Sequence, residues 1–206
     1  MKLLNTIHNI YTLKDKFKFN PFSGIFEEDL EFVIVPRFDI DKMILKIKDP
    51  HPIAIEFLGK HGRGKTTHLK FLHQQISEYP IYFLNNSSSV KELLDDESKV
   101  VFVDGIHHLN LKDRIQLFRA KQTIIYTTHW SRIITGVLGQ KNISTINFNG
   151  INTQMIMSII NKRLKLAAHE NLDEFEEFTE EQAALLIEKF GDDYRGIINY
   201  LFKKHQ

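Results

Sequence analysis

The sequence predicts an α/β fold in which a parallel β-sheet carries helices on both faces and is followed by a small helical subdomain. Three observations lead to this prediction. Five short apolar runs, rich in β-branched and aromatic residues, are typical of strands buried on both faces. Helical patterns separate these runs, and alternation of strands and helices favours a parallel sheet. After Gly150 only helical patterns follow.

The predicted elements follow this alternation along the chain. The strands cover residues 53–58, 81–84, 100–103, 123–126 and 143–148, and the helices between them cover residues 65–77, 90–95, 111–119 and 132–138. Three further helices are predicted at residues 153–166, 183–190 and 193–204. The second of these opens with a capping box, Thr179-Glu-Glu-Gln182, and ends at Gly191. The acidic run at 173–177 is predicted to be a solvated loop.

Length and composition are those of an ordinary globular protein. The 206 residues are enough for one domain with a small appendage, and 42% hydrophobic and 26% charged residues exclude wholesale disorder. The net charge of +1 provides no global field toward nucleic acid or anionic lipid. We predict three parts: a Lys- and Phe-rich arm at 1–33 that packs by its aromatic residues, an α/β domain at 34–150, and a helical subdomain at 151–206.

The absence of cysteine excludes a disulfide framework, thiolate zinc sites, iron–sulfur ligation and a cysteine nucleophile. The first residues lack the apolar core of a signal peptide, and no run of 18 apolar residues suggests a membrane span. We therefore expect a cytoplasmic protein that makes no membrane contact.

A glycine-rich loop lies between the first predicted strand and its helix. The pattern G-x-x-x-x-G-K-[ST] is matched by Gly59, Lys60, His61, Gly62, Arg63, Gly64, Lys65 and Thr66. Its glycines let backbone N–H groups approach phosphate oxygens, and the following helix points its positive end at the same anion. Lys65 supplies a charge for the β- and γ-phosphates, Thr66 a hydroxyl for Mg²⁺, and Thr67 a contact to the α-phosphate. The loop therefore predicts binding of ATP and Mg²⁺.

A second acidic position supports this interpretation. Residues 100–103 form an apolar strand that ends in Asp104, 39 residues after Lys65. A carboxylate at this place holds Mg²⁺ through water in P-loop ATPases. The alternative is an ordinary turn at the end of a buried strand. We predict that Thr66 and Asp104 together hold the metal.

The residues after Asp104 differ from the pattern of many ATPases of this class, in which a glutamate follows and orients the attacking water. Here Gly105 follows, and the run to Leu109 resembles the Asp-Gly-Leu-Asp-Glu-Leu form of NACHT-type signalling ATPases, with His107 and His108 at the acidic positions. Either histidine could act as a general base near neutral pH. The alternative is that both only line the site. We expect nucleotide binding with slow hydrolysis.

The loop spacing resembles that of the AAA+ ATPases, and segments covering about residues 34–202 agree. Pro36 and Arg37, before a helix at 39–47, are similar to the segment that helps form the adenine pocket in origin-initiator and transposition-helper ATPases. Thr128, at the end of the fourth strand, resembles sensor 1, and Arg195 in the last helix resembles the sensor 2 arginine that reaches the γ-phosphate. This resemblance implies a P-loop NTPase fold: a five-stranded parallel sheet in an αβα sandwich with a C-terminal helical lid.

Each weaker element also has a plain structural interpretation. Pro36 and Arg37 could merely begin a helix, Thr128 could end a strand, and Arg195 could be an exposed helix charge. The arginine finger of AAA+ rings has no counterpart at residues 139–145, where Arg132 and Lys141 are the nearest cations. A lysine lacks the bidentate fork of arginine.

These features predict a nucleotide-dependent switch or assembly factor with weak ATPase activity. The alternatives are an interaction module that binds nucleotide without hydrolysing it, and a small P-loop kinase, for which residues 85–89 offer no charge to position an acceptor. A protein partner or self-assembly is expected. DNA binding, if present, would not be sequence-specific, because no winged-helix reader follows the last helix.

Overall fold

The structure, a computed structural model, describes residues 17–169 and 177–205. Residues 1–16 of the predicted arm and 173–176 of the predicted acidic loop lie outside the described residues. The five strands are β1 (Ala54–Leu58), β2 (Ile81–Phe83), β3 (Val100–Asp104), β4 (Thr123–Thr128) and β5 (Ile143–Asn147). The α-helices of the described residues are α1 (Leu30–Val33), α2 (Ile40–Ile47), α3 (Lys65–Gln75), α4 (Val90–Leu94), α5 (Leu111–Arg119), α6 (Ile133–Leu138), α7 (Thr153–Ala167), α8 (Glu180–Phe190) and α9 (Tyr194–Lys204).

The strands form one parallel sheet in the order β2-β3-β4-β1-β5. Strand β4 is central and pairs with β3 on one side and β1 on the other, while β1 also pairs with the edge strand β5. In this order the carboxyl ends of β3, β4 and β1 are neighbours at one edge of the sheet. Ligands of open α/β sheets bind outside such carboxyl ends.

Alternate residues of the central strands enter two separate cores. On one face, Ile55, Phe57, Phe102 and Ile125 pack with apolar residues of α2 and α3. On the other face, Ala54, Val101, Ile124 and Tyr126 pack with apolar residues of α4 and α5. Burial on both faces explains why these strands read as continuous apolar runs. The predicted αβα sandwich is confirmed.

The chain divides into two compact units, one of which is Pro36–Asn149 and contains the sheet. The other unit combines the described residues before Pro36 with α7, α8 and α9. Its core joins Phe17 and Phe22 of the arm to Ile156, Ile160 and Leu201. Buried Arg163 donates to the backbone oxygens of Pro21 and Ser23 at 3.2 and 3.1 Å. Aromatic packing of the arm was predicted, and its association with the helical residues was not.

The helix ends follow local sequence signals. The predicted capping box at Thr179 and Gln182 is present, and Gly191 ends α8 with a positive φ of 60°. Asp39 and Asp193 cap α2 and α9 through side-chain oxygens that accept backbone N–H groups. Among the described residues no helix is both long and apolar enough to cross a membrane.

Close packing at the end of α6 generates a stability prediction. A Cβ built at Gly139 would overlap the Cβ of Phe118 and lie 3.2 Å from the backbone oxygen of Thr135. Because Phe118 is fully buried, we expect Gly139→Ala to lower the free energy of unfolding by about 1–3 kcal/mol. Urea unfolding followed by circular dichroism measures this.

Gly24 provides the matched control, since a Cβ there meets nothing within 4 Å. We expect Gly24→Ala to change the unfolding free energy by no more than about 0.5 kcal/mol. Equal effects at the two glycines would contradict the packing described for the end of α6.

Candidate functional site

The loop between β1 and α3 adopts the backbone that its glycines allow. Gly62 and Gly64 have positive φ angles of 74° and 80°, a region that side chains with a Cβ rarely enter. Gly59 has no room for a side chain, because a Cβ there would lie 3.0 Å from the Cβ of Phe148. The N–H groups at the start of α3 have no partner within the helix, as at any helix N-terminus. The loop therefore has the features of an anion cradle.

Lys65 is buried at the first position of α3 and turns back onto the loop. Its Nζ donates to the backbone oxygens of Gly59 and Lys60 at 2.6 and 2.7 Å. The Nδ1 of His129, at the end of β4, lies 3.3 Å from the same nitrogen and 3.1 Å from the Gly59 oxygen. The ammonium group is thus held at the mouth of the loop by neutral oxygens and an imidazole.

The carboxylate of Asp104 joins three elements at the carboxyl edge of the sheet. The hydroxyl of Thr66, on α3, donates to its two oxygens at 3.0 and 3.1 Å. The hydroxyl of Thr127, on β4, donates to Oδ1 at 2.6 Å and accepts the Gly105 N–H at 2.8 Å. The two residues predicted to hold a metal, Thr66 and Asp104, are therefore brought into contact. Thr127 was not among the predicted site residues.

Gly105 is required by the backbone after Asp104. Its φ is 81°, and a Cβ there would lie 3.0 Å from the Cδ2 of His108 and 3.4 Å from the Leu84 oxygen. A glutamate at this position would be strained as well as crowded. The local geometry thus accounts for the missing glutamate.

Four histidines form a column of neighbouring rings beside the loop, each ring tilted relative to the next. The ring centroids of His61 and His129 are 3.8 Å apart, those of His129 and His107 are 4.6 Å apart, and those of His107 and His108 are 4.2 Å apart. His61 and His129 were not predicted as a pair, because one lies in the loop and the other directly after β4, and no local pattern connects them.

Burial makes two histidines of this column, His107 and His129, weaker bases. Desolvation, with repulsion from His108 and other nearby cationic groups, lowers the pKa of His107 to about 4. Desolvation also lowers the pKa of His129. The Nδ1 of His107 is buried and has no hydrogen-bond partner among the described residues. His108 instead contacts the Asn86 Oδ1 through its own Nδ1 at 2.7 Å. His107 is therefore neutral at pH 7.

The other predicted residues have different surroundings. Arg37 lies over the Phe148 ring at 5.5 Å and donates to the Asn149 oxygen at 3.5 Å, while the Asn149 side chain accepts the Lys60 N–H at 3.1 Å. The Arg37 segment is thereby connected to the loop, and Pro36 is exposed beside it. Arg63, buried in the loop, donates to the His61 oxygen at 3.3 Å, and Thr67 is exposed on α3.

Thr128 and Arg195, the two residues predicted as sensors, have other surroundings than the loop. The hydroxyl of Thr128 donates to the Trp130 oxygen at 3.0 Å and not to the loop. At this end of β4 it is His129 whose side chain contacts the loop, at the Gly59 oxygen. Arg195 is exposed on α9, in the unit that does not contain the sheet. The roles of both residues at a γ-phosphate stay predictions.

Lys141 and Arg132, the cations nearest to the segment where an arginine finger would be expected, make hydrogen bonds within the protein. Lys141 is buried and donates to the Ala120 oxygen at 2.7 Å and to the Gln122 oxygen, and burial lowers its pKa to about 8. The Arg132 backbone N–H donates to Glu56 at 2.7 Å. Lys141 therefore connects the segment between α6 and β5 to the residues that follow α5, and it is not displayed on the surface.

Glu56 is a buried carboxylate that sequence reasoning missed. It lies on β1 and accepts the hydroxyls of Tyr126 and Thr145 at 3.1 and 2.9 Å, besides the Arg132 N–H. Buried carboxylates are stable only when hydrogen-bonded in this way. Glu56 thus links β4 and β5 to β1 and fixes the start of α6. A single acidic residue in an apolar run gives no signal of this role.

The strand order, the loop after β1 and the Asp104 carboxylate define the P-loop NTPase class of α/β folds. No family model matches the sequence, and no curated protein matches it. Among solved structures, the chain is similar to a DNA replication initiation factor, with a TM-score of 0.54, 15% identity, and coverage of 84% of this chain and 62% of that one.

A second solved structure is the RuvB Holliday junction branch migration motor of Thermotoga maritima, with a TM-score of 0.52 and 17% identity. The similarity covers 86% of this chain and 61% of RuvB. The chain thus spans about three fifths of the length of these structures. At 15% and 17% identity these similarities show the fold alone, and they confirm the α/β fold that the resemblance to AAA+ ATPases implies.

The buried hydroxyl of Thr127 provides a test of the Asp104 arrangement. Thr127→Val keeps the shape of the side chain but removes one bond to Asp104 and one to Gly105. Because both partners remain, we expect a loss of about 1–3 kcal/mol in the free energy of unfolding. Chemical denaturation measures it.

Thr127→Ser keeps the hydroxyl and is the control, with a smaller expected loss caused only by the missing methyl group. If valine were tolerated as well as serine, the hydroxyl would not support Asp104 in the way described.

Proposed function

We propose that this chain is an ATP-binding, AAA+-type P-loop ATPase that acts as a nucleotide-dependent switch and hydrolyses ATP slowly. One observation carries the proposal: Lys65, Thr66 and Asp104 converge at the glycine loop, on the carboxyl edge of the sheet. This is the set of groups that binding of a magnesium nucleoside triphosphate requires.

The residues present fit such a ligand. Backbone N–H groups of the loop from Gly59 to Gly64 would face the phosphates. Lys65 would exchange its bonds with the Gly59 and Lys60 oxygens for bonds with β- and γ-phosphate oxygens, and Thr67 would contact the α-phosphate. Thr66 and Asp104 would hold Mg²⁺, which takes its remaining ligands from phosphate and water. Bound there, Mg²⁺ neutralises charge on the phosphates.

Contacts at the loop also support proposals for the residues that border the adenine ring and for the residue that senses the terminal phosphate. Arg37, with Pro36, would border the adenine pocket, since Arg37 is connected to the loop through Asn149. His129 would report on the terminal phosphate, because its Nδ1 already contacts the nitrogen of Lys65. Thr128 would support the turn that carries His129, and Arg195 would supply the second sensor.

Slow hydrolysis follows from the groups around Asp104. Gly105 stands where a glutamate would orient water, and His107 has a pKa of about 4. A base this weak removes a proton from water inefficiently at pH 7, because catalysis is best when the pKa is near the working pH. Lys141 is buried and bonded within the protein, so it does not provide a finger for a neighbour. A switch needs no faster turnover.

A module that binds nucleotide without hydrolysis is the second candidate. The depressed pKa of His107 is the observation that favours it. Phosphate release measured at high protein concentration separates the two candidates. Release that His107→Ala abolishes supports the slow ATPase, and no release alongside tight ATP binding supports the module.

The output of the switch is proposed to be assembly with itself or with a protein partner. The similar solved structures carry names that refer to DNA replication initiation and to Holliday junction migration. We therefore include binding to DNA without sequence specificity among the outputs. We propose that the protein works in the cytoplasm.

Removal of the Lys65 ammonium group tests nucleotide binding directly. Lys65→Ala should weaken ATP binding between about tenfold and a hundredfold, because a charged hydrogen-bond donor to phosphate is lost. Isothermal titration calorimetry with Mg-ATP measures the dissociation constants, after circular dichroism has shown that the variant is folded.

Lys91→Ala removes an exposed lysine from α4 and should bind ATP as the unsubstituted chain does. Equal affinities for Lys65→Ala and the unsubstituted chain would overturn the proposed function.

A further inference from the structure

Helix α6 presents its large apolar residues to solvent and its small residues to the protein. On α6, Ile134 and Val137 are 78% and 73% exposed, and Trp130, which lies just before the helix, is 74% exposed. Ile133 and Leu138 are also exposed, whereas Thr135 and Gly136 are buried. These five exposed residues form what we call the apolar patch. An ordinary surface helix has the opposite arrangement.

Close packing enforces this orientation. A Cβ at Gly136 would lie 2.5 Å from the Cδ1 of Ile143, and one at Gly139 would overlap Phe118. Larger residues therefore cannot turn inward at these two positions. Glu56 holds the start of α6 through the Arg132 N–H. The apolar patch is thus fixed to the sheet before any partner arrives, which lowers the cost of binding.

Charges around the apolar patch have one sign. Residues 114–149 contain no acidic side chain, and two of their cations, Arg119 and Lys121, are exposed. Arg119, exposed at the end of α5, donates to the Leu138 oxygen at 3.4 Å and so adjoins the patch. Lys121 follows it and is exposed as well. An apolar centre with a cationic rim favours a partner that is apolar and acidic.

The same chain carries a surface with that chemistry. Residues 26–32, which we call the acidic segment, read Phe-Glu-Glu-Asp-Leu-Glu-Phe. Phe26 and Phe32 are 71% and 56% exposed, and Glu28 and Glu31 are exposed beside them. Residues 19–36 contain four acidic and no cationic side chains. Two exposed aromatic rings among carboxylates complement aliphatic residues among cations.

We infer that the apolar patch of one chain binds the acidic segment of a second copy of this chain. Phe26 and Phe32 cover the aliphatic residues of α6, and Glu28 or Glu31 faces Arg119. The two surfaces differ, so the contact is head-to-tail and each bound copy leaves one surface of each kind for the next. DNA is the less suitable occupant, because Ile133, Ile134 and Val137 offer no hydrogen bonds to phosphates or bases.

This inference names the surface for self-assembly, one output of the proposed switch, but the contact itself involves no residue of the glycine loop. The test therefore runs with the unsubstituted loop and with Lys65→Ala. Continued association of Lys65→Ala chains that no longer bind ATP would support the contact but would contradict self-assembly as the output of the switch. If Lys65→Ala bound ATP as tightly as the unsubstituted chain does, the proposed function would be contradicted and the inferred contact would not.

Disulfide trapping is the direct experiment, and it suits a chain without cysteine. Chains carrying Ile134→Cys are mixed with chains carrying Phe32→Cys and oxidised, and dimers are resolved by mass. Leu45→Cys, at an equally exposed apolar position on α2, replaces Ile134→Cys in the control. We expect mixed dimers to form about tenfold faster with Ile134→Cys, since bound chains hold the two thiols together.

Equal rates in the two mixtures would overturn the inference. So would predominant pairing of Ile134→Cys chains with each other. A chain with both cysteines that closes an internal disulfide at every dilution would show that the acidic segment binds within its own chain, which also overturns it.

Charge reversal gives a second measurement in full-length chains. Sedimentation over a concentration series should show association weakened about tenfold or more by Ile134→Glu, and less by Glu28→Lys or Arg119→Glu. Mixing Glu28→Lys chains with Arg119→Glu chains should restore part of the loss. Leu45→Glu and Glu188→Lys, both at exposed positions, are the controls and should leave association unchanged.

Higher salt should weaken association of the unsubstituted chain, because the rim charges are exposed. A monomer at every concentration, or association that Ile134→Glu and Leu45→Glu reduce equally, would contradict the contact. DNA binding lost in Ile134→Glu with unchanged self-association would assign the patch to DNA instead.

Discussion

The carboxylate of Asp104 is the interaction on which the site depends. It accepts hydroxyls from Thr66 at the start of α3 and from Thr127 on β4, while its own backbone ends β3. Hydrogen bonds to a charged group are worth about 1.5–3 kcal/mol each, more than neutral ones. One side chain therefore fixes the glycine loop and two strand ends relative to each other.

This constraint also limits the chemistry. The Gly105 N–H donates to the Thr127 hydroxyl, and the backbone there has a positive φ that would strain a glutamate. The chain turns immediately into His107 and His108, which join the column of rings. Burial in that column keeps His107 neutral. The same packing that positions Asp104 thus leaves the site without a strong base, and this is why slow hydrolysis is part of the proposed function.

Local patterns were enough to predict the parts of the fold that local physics determines. The strands, the glycine loop, Asp104 and the capping box at Thr179 each depend on neighbouring residues, and the structure places them as predicted. Contacts between distant segments gave no such signal. Glu56 gains its partners from β4, β5 and α6, and His129 reaches Lys65 across the sheet edge. The exposed face of α6 depends on Gly136 and Gly139 meeting side chains that no periodicity reveals.

A crystal structure of the full chain with Mg²⁺ and a non-hydrolysable ATP analogue tests the central claim most directly. The account predicts the triphosphate within the loop after β1, with the nitrogen of Lys65 moved from the Gly59 and Lys60 oxygens to phosphate oxygens. The metal should lie against the Thr66 hydroxyl and the Asp104 carboxylate. Density for the analogue elsewhere, with the Lys65 bonds unchanged, would contradict it.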